Sequence, residues 1–215
     1  MELAFGCQDE NHFLRRKSQS NELADLVMSI HDTKKRALMI LSELNLARTS
    51  PETYIRVLQE HRSRFRGDHI LLSDNVTLMQ TTERVAAVDE AIRFLSIQQK
   101  ISELTWSQGL ACAAALLVSE QSQSGDTGHL GIKTGDMQKR IDRHGKWIGT
   151  IGENIGYGPS DPRLSVIQLI VDDGVHDRGH RTNIYNNKFK TVGISCGTHP
   201  IFGNMCVMDF AGGFV

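Results

Sequence analysis

The chain has 215 residues, 40% of them apolar and 23% charged, which is the composition of a folded globular domain rather than a disordered tract. A formal net charge of -1 supplies no field that would draw nucleic acid or an acidic membrane surface. No run approaches the roughly 20 apolar residues of a membrane span.

The length suits one domain. Residues 1–20 are polar and read as a flexible arm, with 21–215 as the folded unit. The arm has no apolar core resembling a signal peptide, so the chain as read stays cytoplasmic. From Glu22 to Ala47 the period is helical, with Ala37, Ile40, Leu41 and Leu44 on one stripe. Ser50-Pro51-Glu52 reads as the next helix start, with a hydroxyl cap, proline in the first turn and an acid behind it. Residues 67–80 lack a period and read as a loop or short extended piece. A helix carrying Val85, Val88, Ile92 and Leu95 follows.

After Leu104-Thr105-Trp106 comes a helix whose inner face holds Leu110, Ala114, Leu117, Val118 and Gln121. A glycine-rich loop then carries His129, a short helix spans 136–144, and Trp147 to Gly158 is rich in glycine and β-branched residues. A helix over about 163–173 precedes two alternating runs, 191–196 and 205–210, which read as an antiparallel hairpin. Helices early and strands late indicate an α+β fold.

Polar groups on apolar elements are the informative ones, because burying them unpaired costs free energy. Asp173 follows Ile170, Leu169 and Val166 by three, four and seven residues, so a continuous helix turns it inward and leaves Asp172 with Ser165 and Gln168. An anion at a helix C-terminus opposes the macrodipole, and His176, Arg178, His180 and Arg181 follow to offset it. Arg178 and Arg181 read as local partners of Asp172 and Asp177. Glu153, among glycines, reads either as a presented carboxylate or as a solvent-facing strand residue. In the hairpin, Cys196 and Cys206 share the face of Val192, Ile194, Met208 and Phe210, which places the thiols opposite each other. They are bonded if the chain is exported and reduced if it is not. Cys112, inside an apolar helix, reads as a buried free thiol.

Gly179-His180-Arg181-Thr182-Asn183-Ile184, continuing through Phe189-Lys190-Thr191-Val192-Gly193, resembles the terminal signature of CAP domains. That superfamily includes cysteine-rich secretory, antigen 5 and pathogenesis-related 1 proteins. Gly152-Glu153-Asn154-Ile155, Gly128-His129-Leu130-Gly131, Leu104-x-Trp106 and Leu44-Asn45-Leu46-Ala47-Arg48 match further elements in order. The resemblance covers about residues 40–212 and implies a three-layer α-β-α sandwich with a mostly antiparallel central sheet. It also implies a cleft lined by His129, Glu153, Asp173 and His180. The family usually has glutamate where Asp173 aligns, and tryptophan is missing from Leu169–Gly174, so this is a divergent branch.

Two imidazoles facing one cleft suit a divalent cation such as Zn²⁺, held by His129 and His180 with the acids behind them. The resemblance therefore implies a non-enzymatic binding protein for a lipid, sterol or protein ligand, working outside the cell. A metal-assisted hydrolase using the same cleft, or an inert structural domain, are the alternatives.

Overall fold

The computed structural model describes residues 32–71 and 78–215. The arm expected at 1–20 and the helix start expected at Glu22 lie outside the described residues. Helix α1 (residues 32–49) buries Ala37, Ile40, Leu44 and Ala47 completely or nearly so. It gives way at Ser50 to α2 (Pro51–Ser63), with proline in the first turn and Glu52 behind it, although the Ser50 hydroxyl makes no cap bond. Past α2 stand three short strands, β1 (Phe65–Arg66) and, within the 67–80 segment expected as a loop or short extended piece, β2 (His69–Leu71) and β3 (Leu78–Gln80), paired antiparallel in that order. Helix α3 (Val85–Ile97) packs on α2 through Ala87, Val88, Ala91 and Leu95.

Strand β4 (Thr105–Trp106) leads to α4 (Gln108–Ser124). The Ser107 hydroxyl accepts from the Leu110 N–H at its start, and Gly125 ends it in the left-handed region. Its expected inner face, Leu110, Ala114, Leu117, Val118 and Gln121, is buried throughout. Asp136 caps α5 (Met137–Asp142) and Asp161 caps α6 (Pro162–Val171), each accepting a backbone N–H three residues on. A further helix, α7 (Gly179–Ile184), was not foreseen, because six residues are too few to show a period.

Strands β5 (Trp147–Tyr157), β6 (Thr191–His199) and β7 (Gly203–Phe214) complete a sheet of order β4-β6-β7-β5, parallel only between β4 and β6. One face, through Ile155, Met205, Val207 and Ala211, packs on α4 and α5. The other, through Val192, Ile194, Met208 and Phe210, packs on α1, α2, α3, α6 and α7. Three layers result. At Gly193 a Cβ would lie 1.9 Å from the Ala111 backbone nitrogen, so α4 can cross the sheet there only over a glycine. Cys196 and Cys206 stand opposite each other in register and are joined, with S–S 2.12 Å.

Candidate functional site

His129 lies in the loop after α4, and its position is set by buried polar groups. Gln121 donates to the Gly128 carbonyl at 2.8 Å and accepts from the Tyr157 hydroxyl at 2.9 Å, while that hydroxyl accepts from the Gly128 N–H. Glu120 accepts from the N–H groups of Lys133 and Thr134, fastening the far side of the loop. The His129 side chain is 58% exposed, and its Nδ1 meets Oε1 of the buried Glu153 at 2.8 Å. The other carboxylate oxygen, Oε2, accepts from Arg140 Nη2 at 2.5 Å. Arg140 is fully buried and also donates to the His129 and Gly135 carbonyls. The solvent-facing alternative for Glu153 is thereby excluded.

At the second histidine the structure corrects the sequence reading. His180 Nδ1 meets Asp172 Oδ1 at 2.6 Å, and the His180 N–H donates to Asp172 Oδ2 at 3.0 Å. Asp173 does not face His180; it accepts from the N–H groups of Thr82 and Glu83, both at 2.7 Å. The physical reason is that α6 stops at Val171. Asp172 is its C-cap, at φ 57° and ψ 43°, so a helical face projected beyond Val171 assigns both acids to the wrong sides. Asparagine at either position keeps an acceptor oxygen and removes the charge. Asp172→Asn is expected to cost about 1–3 kcal/mol of stability and Asp173→Asn about 0.3–1 kcal/mol, measured by urea unfolding. Equal losses would contradict the Asp172–His180 pairing.

The arginines are corrected too. Arg178 forks onto Glu83, both contacts at 2.6 Å, and Arg181 forks onto Glu90. Their carboxylate partners belong to α3 and the residues just before it, not to Asp172 or Asp177, although Arg178 also donates to the Asp172 backbone carbonyl at 2.6 Å. The Arg178 hydrogen bonds hold the Glu83 carboxyl down to about 2.

The Gly-Glu-Asn-Ile segment ties both histidines to β5. Successive strand residues point to opposite faces. Glu153 reaches His129 on the α4 and α5 side, while buried Asn154 donates to the His180 carbonyl at 3.0 Å and accepts from Asn183 at 2.9 Å on the other. The expected tetrad is therefore two carboxylate–imidazole pairs, His129–Glu153 and His180–Asp172. Among the described residues no three His, Cys, Asp or Glu side chains are grouped to hold a metal ion.

His180 instead borders a cavity of about 330 Å³ with Asp172 and Asp173, walled by Phe65, Ile70, Met79, Leu164, Leu169 and Val175 among others; His129 and Glu153 do not line it. His61 and Leu164 separate it from a second cavity of about 440 Å³ containing Glu43, Arg64 and Arg163. Burial, and then the charge of Arg64, push the His61 imidazole down to about 4, so it stands there uncharged at neutral pH.

The profile of the CAP (cysteine-rich secretory protein) family matches residues 54–210. Among curated proteins no sequence match is found. Among solved structures, an extracellular protein containing an SCP domain from Bacillus anthracis is 19% identical, with TM-score 0.42, over 59% of this chain and 37% of that one. An outer surface protein from Borrelia burgdorferi is 14% identical, with TM-score 0.44, over 52% and 78%. A cysteine-rich secretory protein from Staphylococcus aureus is 15% identical, with TM-score 0.37, over 59% and 37%. The chain thus matches little more than a third of the length of the first and third of these.

Proposed function

The chain belongs to the cysteine-rich secretory protein (CAP) family, and we propose that it is a non-enzymatic binding domain whose ligand is an apolar, lipid-like molecule. The cavity beside His180 carries this reading. At about 330 Å³ it lies within the roughly 300–1,000 Å³ range of small-molecule sites. About half of its wall is aliphatic or aromatic, and its polar groups include the Asp172–His180 pair, Asp173 and Arg84. Such a lining gains from apolar contact and orients a ligand by one polar end.

A hydrolase needs a base free to reach a water. Glu153 has both oxygens engaged by His129 and Arg140, and Asp173 has both on backbone N–H groups, which favours binding over catalysis. The Cys196–Cys206 bond supports work in an oxidising compartment, against the cytoplasmic reading of the polar start. No described helix is long and apolar enough to cross a membrane.

Val175 is half-buried in the cavity wall, so Val175→Trp fills the space with little disturbance of the core. A fluorescent fatty acid should bind the wild type and bind this variant at least about tenfold more weakly, a loss of about 1.4 kcal/mol, with the unfolding midpoint retained. The reading fails if the wild type takes up no chain length, or if the variant binds as well.

A further inference from the structure

The His129 pair stands on a third acid that the sequence reading passed over. Asp209 lies directly opposite Glu153 in the antiparallel β5–β7 register, so the two side chains leave the sheet on one face with Cβ atoms roughly 4.5–5.5 Å apart. Both residues are buried, Glu153 at 7% exposure and Asp209 at 0%. Neither oxygen of Asp209 receives a hydrogen bond from any donor in the described structure. On its other side, the β6 residue in register is Gly193, covered by Leu110 and Ala111 of α4, which bring no polar side chain.

We infer that Glu153 and Asp209 hold one proton between them at neutral pH, carried on Asp209, which donates to Glu153 and positions it against His129 and Arg140. Two adjacent buried carboxylates repel and are poorly solvated, and a single guanidinium offsets one of them. The groups that face the pair are few. Arg140 comes from α5, His129 from the loop after α4, and Tyr157 from β5; beside Asp209 in the sheet stands Gly193 of β6, with Leu110 and Ala111 of α4 over it. Burial, then the charge of Glu153 and the hydrogen bond to it, raise the Asp209 carboxyl well above the usual range, with Arg140 opposing. Asp209 is thus a positioning residue, and its proton makes the anchor of the His129 loop sensitive to pH. Losing the proton would leave two carboxylates against one guanidinium.

The linkage has a definite sign. The unfolded chain releases the Asp209 proton around pH 4 and the folded chain keeps it. The stabilisation is complete below that pH and is lost as pH rises toward the raised folded value. Urea unfolding of wild type and Asp209→Asn should therefore diverge. The wild-type unfolding constant should rise relative to the variant by about tenfold per pH unit between roughly pH 5 and 7, because asparagine donates the same bond without a proton to lose. A ratio independent of pH overturns the inference. Should the variant fail to fold, carboxyl ¹³C NMR of the wild type decides. The Asp209 signal should stay at its protonated position up to neutral pH, and a signal that titrates near pH 4 overturns the inference equally.

Discussion

Replacing Arg48 with methionine is expected to lower the free energy of unfolding by about 3–5 kcal/mol. Arg48 is fully buried near the end of α1, and among the described residues no carboxylate pairs with it. Its guanidinium donates instead to four backbone carbonyls, Ser102 at 2.9 Å, Ile184 at 2.6 Å, Asn186 at 3.2 Å and Phe189 at 3.1 Å. Burial draws the group down to about 10, with Tyr185 opposing, so it remains charged at neutral pH. Methionine fills much of the same volume but strips four acceptors of a donor, and the two that are buried, on Ile184 and Phe189, are each worth about 1–3 kcal/mol before any water replaces the lost bond. Those carbonyls lie before β4, on the last residue of α7 and just after it, so one side chain ties the first helix to the segment that carries His180. Arg48→Lys should lose nearly as much, because a single ammonium cannot reach acceptors arranged around a planar fork. Chemical unfolding of both variants measures this, and a lysine variant within about 1 kcal/mol of wild type would contradict the carbonyl-clamp account.

The parts of this molecule that repeat along the chain were legible in its sequence. Alternation placed Cys196 opposite Cys206, and the helical period found the buried face of α4 down to Gln121. The period also gave the α+β character, whereas the three-layer arrangement came from the family resemblance. What local pattern could not show was where charged side chains end. Arg178 and Arg181 have acids near them in sequence, yet their partners are Glu83 and Glu90, more than 90 residues away. Arg140 reads as one more basic residue in a short amphipathic helix, and only the folding of the His129 loop around it makes it a core residue. Asp172 and Asp173 failed for another reason. Periodicity holds only while the helix lasts, and a left-handed cap at the first acid re-aims both side chains. Asp209 did leave a signal, because the alternation that paired the cysteines also sets it three register steps away, across from Glu153.

The same logic makes Arg140→Met the most damaging change at the His129 pair, with an expected loss of about 3–5 kcal/mol, because it strands a buried carboxylate. Arg140 and Glu153 have side chains 0% and 2% exposed, so solvent cannot take over the role of either partner. The loss should be smaller when the charge it strands is removed as well. Glu153→Gln alone leaves a buried guanidinium facing an amide, and Arg140→Met alone leaves a carboxylate facing a thioether. The double variant leaves neither charge, so it should be less destabilised than the two single losses added together, by about 1–3 kcal/mol. Urea unfolding of the four proteins at one pH gives that coupling directly. Strict additivity would mean that the guanidinium works mainly through the His129 and Gly135 carbonyls, as a clamp on the loop, and that its contact with Glu153 contributes no net stability.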